Sequence, residues 1–349
     1  MPDSNSSLYS NLVAGSAAAV FQTTMSHPFE FLKTGQQLHR SLPNSGSFNM
    51  FHHVKSYFAG CSALNIGILL KTTTRFATFE KACELMKNPE NPEAPIGGMR
   101  LLAAGSITGF MESMLIIPFE SIKTRMIENA VILSNRYQED AEIEKQNKAK
   151  SLDKTKSPSL KGTELKQTAR PTLHKQVNKN VNPRYEKFLY YEKHPSTNIV
   201  TTVREMMQTR GFSSFFQGSM PTIFRQVGNG AIRFTTYTTL KQMISPNKPL
   251  KEYYAFGIGL FSSCAVVGMT QPIDVIKTRM QSKYTSSLYK NSLNCAYRTF
   301  IEEGITSFWK GWVPRLFKVG LSGGVSFGVY QYVENLMLSM QYQRSLGHD

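Results

Sequence analysis

The sequence has few features of an enzyme or a metalloprotein. Its only cysteines are Cys61, Cys83, Cys264 and Cys295, and no two of them form a Cys-x-x-Cys pair. This spacing gives no zinc motif, redox motif or disulfide framework, so we expect four small buried side chains. The sequence also has no residues at the spacing expected of paired catalytic carboxylates, a nucleophile triad or a metal-ligand cluster. We therefore expect no enzymatic activity, no cofactor and no metal.

Acidic residues and long apolar runs are scarce as well. The 349 residues include 40 Lys and Arg but only 24 Asp and Glu, so candidate partners are nucleic acid, anionic lipid and anionic solutes. No run of about 18 or more strictly apolar residues stands out, so hydropathy alone would not predict a membrane protein. Much of the polarity is concentrated in residues 138–196, which dilute the average of the rest.

One motif occurs three times. Each copy has a proline, an acid two residues later and a lysine three residues after the acid. The copies are HPFEFLKTGQQ at 27–37, IPFESIKTRMI at 117–127 and QPIDVIKTRMQ at 271–281. Pro28 and Pro118 lie 90 residues apart, whereas Pro118 and Pro272 lie 154 residues apart. The longer interval predicts an insertion at about 131–196, and its low apolar content predicts that this insertion is disordered.

A second element supports the same periodicity. EGITSFWKG at 303–311 matches RGFSSFFQG at 210–218, and YFAG at 57–60 is a shortened copy. The pattern predicts three repeats, at 8–93, 97–244 and 250–340.

Each repeat is expected to form two helices. An apolar stretch rich in Gly and Ala precedes each motif, and such residues let helices approach closely in a membrane. The motif proline is expected to kink the first helix, because it removes a backbone hydrogen bond and clashes with the preceding turn. The six expected helices span 8–37, 62–86, 97–127, 217–244, 251–282 and 311–340.

The motif charges are expected to form a ring. The acid and the lysine of one motif share a helix face because they are three residues apart. Threefold repetition then allows each acid to pair with a lysine of a neighbouring repeat. An exposed ion pair contributes only about 0–1 kcal/mol, so three such pairs would form a latch that can open. The expected pairs are Glu30 with Lys123, Glu120 with Lys277, and Asp274 with Lys33.

The tripled motif and the Gly–aromatic–Gly element together resemble the mitochondrial carrier family over about residues 8–130 and 196–340. The resemblance implies an all-α membrane protein with six transmembrane helices in three pseudo-threefold repeats around a central cavity, and with short helices on the matrix side. It implies a multi-pass secondary transporter of the mitochondrial inner membrane that works by alternating access. A monomer in contact with anionic lipid such as cardiolipin is expected.

The resemblance also assigns roles to gate residues. In that family the three motif pairs close the matrix side, and glutamines brace them. Gln37 and Gln281 stand at two brace positions, whereas the third is Ile127. On the cytoplasmic side, only Glu80 and Lys241 could form the expected kind of gate pair, so that gate is expected to open easily.

Cations within the expected helices point to the solute. Lys71 and Arg75 are four residues apart and so share a helix face. Arg225 and Arg233 are eight residues apart, about two helical turns. With Lys318 on the last helix, these cations are expected to surround one cavity, because charged side chains in a membrane protein usually line a cavity or form pairs. Their mutual repulsion without an anion predicts a multiply charged carboxylate as the occupant.

Several details are similar to the tricarboxylate branch of the family. They are K-x-x-x-R-F on the second helix, A-I-R-F on the fourth and P-R-L-x-K on the sixth. The resemblance implies that Gln226, beside Arg225, makes an amide contact to substrate. It also implies that Glu112 is a counter-charge to the cations, with a possible role as a proton acceptor. Lys318 stands where that branch has Arg, so a planar bidentate contact to a carboxylate is lost there.

Other functions stay open at this point. The carrier could take a keto acid, a dicarboxylate or a nucleotide instead of a tricarboxylate. The incomplete cytoplasmic gate and the missing brace would also fit a carrier-like scaffold that no longer transports. A soluble nucleic-acid-binding protein fits less well, because its cations should lie on an exposed face among aromatic residues. Here they lie among Gly, Ala, Ile and Phe, so nucleic acid is not expected as a partner.

Overall fold

The computed structural model of the protein describes residues 4–40, 54–86, 98–154, 183–244, 252–321 and 332–333. All regular secondary structure within these ranges is helical. The expectation of an all-α chain is therefore confirmed for the described residues. In chain order, the helices are α1 (Ser4–Leu38), α2 (Val54–Tyr57), α3 (Cys61–Leu85), α4 (Gly98–Lys154), α5 (Pro183–Lys193), α6 (Ile199–Arg210), α7 (Ser219–Ile244), α8 (Glu252–Met280), α9 (Thr285–Leu288), α10 (Ser292–Glu303) and α11, which is described over 312–321.

The long helices occur where the repeats predicted them. Five of the six expected helices correspond to α1, α3, α4, α7 and α8, and α11 covers the described part of the sixth. The three motif prolines lie inside continuous helices, at Pro28 in α1, Pro118 in α4 and Pro272 in α8. The expected kink at each of them stays a prediction.

The long helices pack against one another in chain order. α1 contacts α3, α4 and α8, while α7 contacts both α4 and α8. α11 closes the arrangement between α8 and α1. Its Phe317 stacks on Phe29 of α1 with ring centroids 6.0 Å apart, and its Arg315 donates a 2.9 Å hydrogen bond to Gln271 of α8. The helices therefore enclose a common interior.

Glycines just before α3, α7 and α11 bring these helices close to α1, α4 and α8, which contain the repeated motif and are called the motif helices below. Gly60, Gly218 and Gly311 all have positive φ, at 82°, 74° and 77°. A Cβ at each position would lie 3.2 Å or less from a carbonyl oxygen on a motif helix. Only glycine combines this backbone conformation with so close an approach. The three carbonyls belong to Lys123, Lys277 and Lys33 respectively, which are the motif lysines.

The distribution of polarity is reversed relative to a soluble protein. Charged residues such as Glu30 and Lys123 are each 5% exposed, whereas Phe21, Phe110 and Phe261 on the outer faces are 49% to 61% exposed. Soluble proteins bury such aromatic residues and rarely bury charge. The outer face of the bundle is therefore suited to an apolar environment.

One described helical segment, Gly257–Met280, is long and apolar enough to be a membrane-span candidate by length and composition. The stretch of α1 before its motif acid contains polar uncharged residues, among them Asn11, Gln22 and His27, which lower its mean hydropathy.

The insertion is more ordered than the sequence predicted. α4 continues without a break to Lys154, and α5 occupies Pro183–Lys193. The expected disorder of 131–196 is therefore wrong for these stretches, while residues 155–182 lie outside the described ranges. α4 extends an existing helix, so no new nucleation is needed, and its Glu, Gln, Lys and Ala residues have high helix propensity. Glu144 and Lys148 add an i,i+4 ion pair of 2.7 Å.

The cysteines are all unpaired, as expected, but they are not all buried. Cys295 is fully buried, Cys61 and Cys83 are partly buried, and Cys264 is exposed. Burial raises the pKa of the Cys295 thiol to about 11. Cys264 corrects the prediction of four buried side chains, because it faces outward from α8.

Candidate functional site

A polar cavity of about 260 Å³ lies inside the bundle. Its walls come from α1, α3, α4, α7, α8 and α11. All six charged residues of the repeated motif line it, and they form what we call the ion-pair ring, namely Glu30, Lys33, Glu120, Lys123, Asp274 and Lys277.

Each acid of the ion-pair ring contacts the lysine that the repeat pattern predicted. Lys123 Nζ lies 2.5 Å from Glu30 Oε1, and Lys277 Nζ lies 2.6 Å from Glu120 Oε2. Lys33 pairs with Asp274 in the same way. None of the six residues is more than 9% exposed, so these pairs are shielded from solvent. The predicted pairing is confirmed, and the role of these residues as a gate stays a prediction.

The two predicted brace glutamines lie next to the ion-pair ring. Gln37 accepts a 2.7 Å hydrogen bond from Thr278 and donates a 3.4 Å bond to Asp274. Gln281 accepts a 3.1 Å bond from Thr124. Each glutamine therefore links two motif helices. The third position is Ile127, which is fully buried and has no polar side-chain atom.

Cations of α7 and α11 also contact the ring acids. Arg225 lies between two of them, with Nη2 3.5 Å from Glu120 and Nε 3.4 Å from Asp274. Lys318 Nζ lies 2.9 Å from Glu30. Arg225 and Lys318 were predicted to line the cavity, and both do.

Arg315 is a cavity residue that the sequence did not single out. It is 6% exposed, and Gln271 and Thr270 accept hydrogen bonds of 2.9 Å and 2.7 Å from its guanidinium group. Its Nη1 lies 3.7 Å from Asp274. The sequence did contain a signal for it. Arg315 lies one helical turn after Gly311 and three residues before Lys318, so it shares a helix face with a residue that was predicted to line the cavity.

The cavity carries more positive than negative charge at the ion-pair ring. Three carboxylates face the three motif lysines together with Arg225, Arg315 and Lys318. Three positive charges are thus in excess at the ring, and the seventh cation of the wall, Lys71, is balanced by Glu112 behind it. Like charges in a site of low effective dielectric repel one another, so an anion of matching charge would be stabilised there.

Lys71 and Arg75 contact a different acid. Lys71 Nζ lies 3.4 Å from Glu112 Oε2, and Arg75 Nε lies 3.6 Å from Glu112 Oε1. Lys71 lines the cavity, whereas the side chain of Arg75 is 69% exposed and is not part of its wall. The predicted convergence of cations therefore includes Lys71 but not Arg75.

Two amide side chains also belong to the described wall, together with several apolar residues. Gln226 lines the cavity as predicted, and Asn229, which the sequence did not single out, lies one turn further along α7. The side chains of Arg233, Glu80 and Lys241 lie outside the part of the chain whose side chains the structure describes. The predictions for these three residues therefore have no geometry to compare.

The described residues contain no group of three or more His, Cys, Asp and Glu side chains that could hold a metal ion. The cavity wall contains ammonium and guanidinium groups and two side-chain amides, and the buried acids contact the cations. Such a set can bind carboxylates by charge-assisted hydrogen bonds.

Comparison with known proteins supplies the family. The family model described as "Mitochondrial carrier protein" matches residues 4–90, 188–248 and 248–341. The chain belongs to the mitochondrial carrier family. Members of this family are transporters and not enzymes, which confirms the expectation that this carrier is not an enzyme.

Similar carriers cover nearly the whole chain. A Saccharomyces cerevisiae protein described as an uncharacterized mitochondrial carrier is 43% identical, over 97% of this carrier and 98% of that protein. The mitochondrial citrate transporter A of Aspergillus niger is 35% identical, over 92% and 89%. The tricarboxylate transport protein of Saccharomyces cerevisiae is 29% identical, over 93% and 94%. Transport and a mitochondrial setting are therefore common to the family and these relatives.

Proposed function

We propose that this carrier exchanges tricarboxylates such as citrate across the mitochondrial inner membrane. The observation that carries the proposal is the excess of three positive charges around the ion-pair ring. A fully ionised tricarboxylate has three negative charges and would neutralise that excess. The similarity to a citrate transporter and a tricarboxylate transport protein supports the same substrate class.

The proposed architecture has six spanning helices, two from each repeat, around a pseudo-threefold axis. The three equivalent glycine contacts and the three motif ion pairs support it. The ion-pair ring acts as the matrix-side gate, with Gln37 and Gln281 as its braces. The carrier works as a monomer, and its apolar outer face contacts lipid.

The substrate site is formed by Lys71, Arg225, Gln226 and Lys318, with Arg315 as an addition. Arg225 offers the planar donor set that fits a carboxylate, and Lys318 offers a point charge. Arg75 and Glu112 do not bind the substrate themselves in this proposal. They act through Lys71, because Glu112 is paired with both Arg75 and Lys71. Arg233 belongs to the same proposed set from its place in the sequence.

Transport follows alternating access. Substrate carboxylates compete with Glu120, Asp274 and Glu30 for Arg225 and Lys318, so binding weakens contacts that hold the gate closed. The free energy of binding thereby offsets the cost of opening one gate while the other forms. Glu80 and Lys241 remain the proposed pair of the cytoplasmic gate.

The test is exchange by the purified protein in liposomes. Labelled citrate outside should exchange with unlabelled citrate inside, and Lys71→Ala and Arg225→Lys should each reduce the exchange about tenfold or more, since charged hydrogen bonds contribute about 1.5–3 kcal/mol. Arg225→Lys keeps the positive charge but lacks the planar guanidinium group that reaches Glu120 and Asp274 from different nitrogens, so it tests the contribution of that geometry. Lys187→Ala, an exposed change on α5, should have no effect.

Competition by unlabelled anions distinguishes the alternatives. Citrate and other tricarboxylates should compete best, ahead of dicarboxylates, keto acids and nucleotides. Stronger competition by another class would replace the substrate assignment. Absence of exchange for every anion would instead favour a scaffold.

A further inference from the structure

The segments that directly follow α1 and α8 each carry a basic residue. Arg40 lies two residues after the end of α1, and Lys283 lies three residues after the end of α8. The two positions are similar, because Arg40 follows Pro28 by 12 residues and Lys283 follows Pro272 by 11 residues. Both cations contact acids of a different repeat.

Lys283, in repeat 3, is paired with Glu205 on α6 of repeat 2. Its Nζ lies 3.3 Å from Glu205 Oε1, and the same ammonium group donates a 2.8 Å hydrogen bond to the backbone carbonyl of Tyr191 on α5. Glu205 and Lys283 are each 1% exposed, so the pair is shielded from solvent.

The segment around Lys283 has two further contacts with repeat 2. Glu128 of α4 accepts hydrogen bonds of 2.6 Å from both the hydroxyl of Ser282 and the backbone N–H of Lys283. Arg210 of α6 donates hydrogen bonds to the backbone carbonyls of Lys283 and Ser282, the latter over 3.3 Å. The end of α8 is therefore attached to both α4 and α6.

Arg40, in repeat 1, contacts repeat 3 in a similar way. Its guanidinium group is paired with Glu302, and its Nε lies 3.8 Å from Glu303, both on α10. Next to it, Lys310 donates a 2.9 Å hydrogen bond to the backbone carbonyl of His39.

In both cases a cation that follows a motif helix pairs with acids on a short helix of another repeat. We call these two sets of contacts the outer ion-pair layer. It consists of Arg40, Glu302 and Glu303 together with Lys283 and Glu205.

The outer ion-pair layer lies beyond the ion-pair ring. Glu128, which contacts the Lys283 segment, follows the ring acid Glu120 by eight residues, or about 12 Å along α4. A vestibule of about 480 Å³ lies at this level, and its wall includes Leu38, Arg40, Glu128 and Ser282. A solute that passed the ring would enter this vestibule, next to the outer layer.

Glu205 is also held from within repeat 2. Its carboxylate accepts a 3.0 Å hydrogen bond from Asn129 and another from the hydroxyl of Ser196. If Lys283 moved away, Glu205 would keep these two hydrogen bonds. An uncompensated buried charge is the main cost of separating a buried pair, so this cost is reduced here.

The acids on α10 have cations of their own repeat as well. Arg298 lies 2.7 Å from Glu302. Arg279 and Lys310 lie 2.5 Å and 2.8 Å from Glu303. Both acids would therefore stay paired if Arg40 moved away.

We infer that the outer ion-pair layer is a second lock of the matrix-side gate, which opens and closes together with the ion-pair ring. The inference rests on the proposed function, in which the motif helices part at the ring. Because Arg40 and Lys283 directly follow α1 and α8, helices that part at the ring move these cations away from the acids of the neighbouring repeat. The outer layer thereby adds to the free energy required for opening.

The test removes one cation at a time from the full-length protein. Lys283→Met keeps an unbranched side chain without the charge, and should raise the ratio of matrix-open to matrix-closed protein about tenfold, since a hydrogen bond between charged groups no longer opposes opening. Arg40→Met should raise the ratio about threefold, because that pair is partly exposed. Lys148→Met, which removes the cation of an exposed pair within α4, is the matched control and should leave the ratio unchanged.

Spin-label distances give this ratio in the absence of any anion. The four native cysteines are replaced by alanine, and labels are attached at exposed positions. Labels at 140 and 286 report the separation of repeats 2 and 3, and labels at 55 and 290 report that of repeats 1 and 3. The population at the longer distance measures the open form.

A double-mutant cycle distinguishes a lock from general stabilisation. Glu205→Gln preserves the shape of the side chain and should raise the ratio, and its combination with Lys283→Met should open the protein no further than Lys283→Met alone. A lower unfolding temperature with an unchanged ratio would mean that the pair only stabilises the fold, which would overturn the inference. Fully additive effects would also overturn it, because the two residues would then not act as a pair.

Citrate exchange by the same proteins separates the two proposals. If the ratio rises as expected but the wild type does not exchange citrate, the inference is supported and only the proposed substrate fails. If citrate is exchanged but the ratio is unchanged in both cation variants, the inference fails and the proposed function stands.

Discussion

Glu112 differs from the acids of the ion-pair ring in its partners. It is 8% exposed and faces Lys71 and Arg75 at 3.4 Å and 3.6 Å, whereas the ring contacts to Lys123 and Lys277 are 2.5 Å and 2.6 Å. Longer contacts indicate a looser pair, in which Lys71 can exchange partners. If the proposed site binds an anion, Glu112 would compete with it for the same ammonium group.

Replacement of Glu112 by Gln should therefore increase the affinity for citrate. Lys71 would lose its counter-charge, and we expect KM to fall about five-fold, since hydrogen bonds to charged groups contribute about 1.5–3 kcal/mol and part of this is regained by the amide. The unfolding temperature of the substrate-free protein should fall, because Lys71 and Arg75 would repel each other. Exchange kinetics and thermal unfolding measure the two effects.

The control is Glu144→Gln, which removes an exposed i,i+4 pair on α4 and should change neither quantity. A higher KM for Glu112→Gln would mean that Glu112 holds Lys71 in position for the substrate and does not compete with it.

The sequence predicted the site best at the ion-pair ring, where three copies of the same motif had to fit one arrangement. Repetition predicted that Glu30, Glu120 and Asp274 each pair with a lysine of a neighbouring repeat, because each copy supplies one acid and one lysine. Repetition alone allows two cyclic orders of pairing, and the structure has the predicted one. Single residues were less predictable. Arg75 shares a helix face with Lys71, but a shared face does not fix depth or the direction of a long side chain, and Arg75 is largely exposed. Asn229 carries no charge and so gave no signal.

At the scale of elements, α4 departs most from its repeat. It has 57 residues, whereas α1 and α8 have 35 and 29. The sequence located the insertion, but composition alone could not predict that a packed helix would continue into it. Helix propagation from an existing end requires no apolar burial, and most side chains of residues 137–148 are exposed.

Arg136, at the start of the extension, contacts the end of α5. Arg136 donates hydrogen bonds of 2.9 Å and 2.6 Å to the backbone carbonyls of Lys193 and Glu192, at the end of α5. These carbonyls have no partner within their own helix, and a cation at this end also interacts favourably with the helix dipole. α5 has no buried residue, so it depends on such contacts.

Arg136→Ala should loosen α5 locally without affecting transport. We expect amide hydrogen exchange in Pro183–Lys193 to become about tenfold faster, which corresponds to about 1.4 kcal/mol, one charged hydrogen bond at the low end of its range. Lys187→Ala, an exposed change on the same helix, is the matched control. Similar exchange in both variants would mean that other contacts hold α5, and a loss of citrate exchange would place the extension in the transport cycle.

At the scale of the whole molecule, the described residues bury an unusual number of charged groups and expose many large apolar ones. Ion pairs and amide hydrogen bonds link the helices in the interior, and many aromatic and aliphatic side chains are exposed on the outer faces. This explains why the sequence predicts the fold through its repeats and not through its hydropathy. Each motif places charged residues within a helix. The mean hydropathy of that helix therefore underestimates how apolar its outward-facing side chains are.

The outer face is therefore where a new charge should be least tolerated. Phe261 on α8 is 61% exposed, and Phe261→Lys would place an ammonium group against lipid at a cost of about 2.5–3.5 kcal/mol. We expect much less protein in the carbonate-resistant membrane fraction, whereas Phe261→Leu should accumulate like the wild type. Ile143→Lys makes a similar change at a residue that is 47% exposed, but far along the extension of α4, where water is available. Only contact with lipid predicts that Phe261→Lys accumulates less than Ile143→Lys. Equal accumulation of the two lysine variants would therefore mean that the apolar face of α8 does not contact lipid.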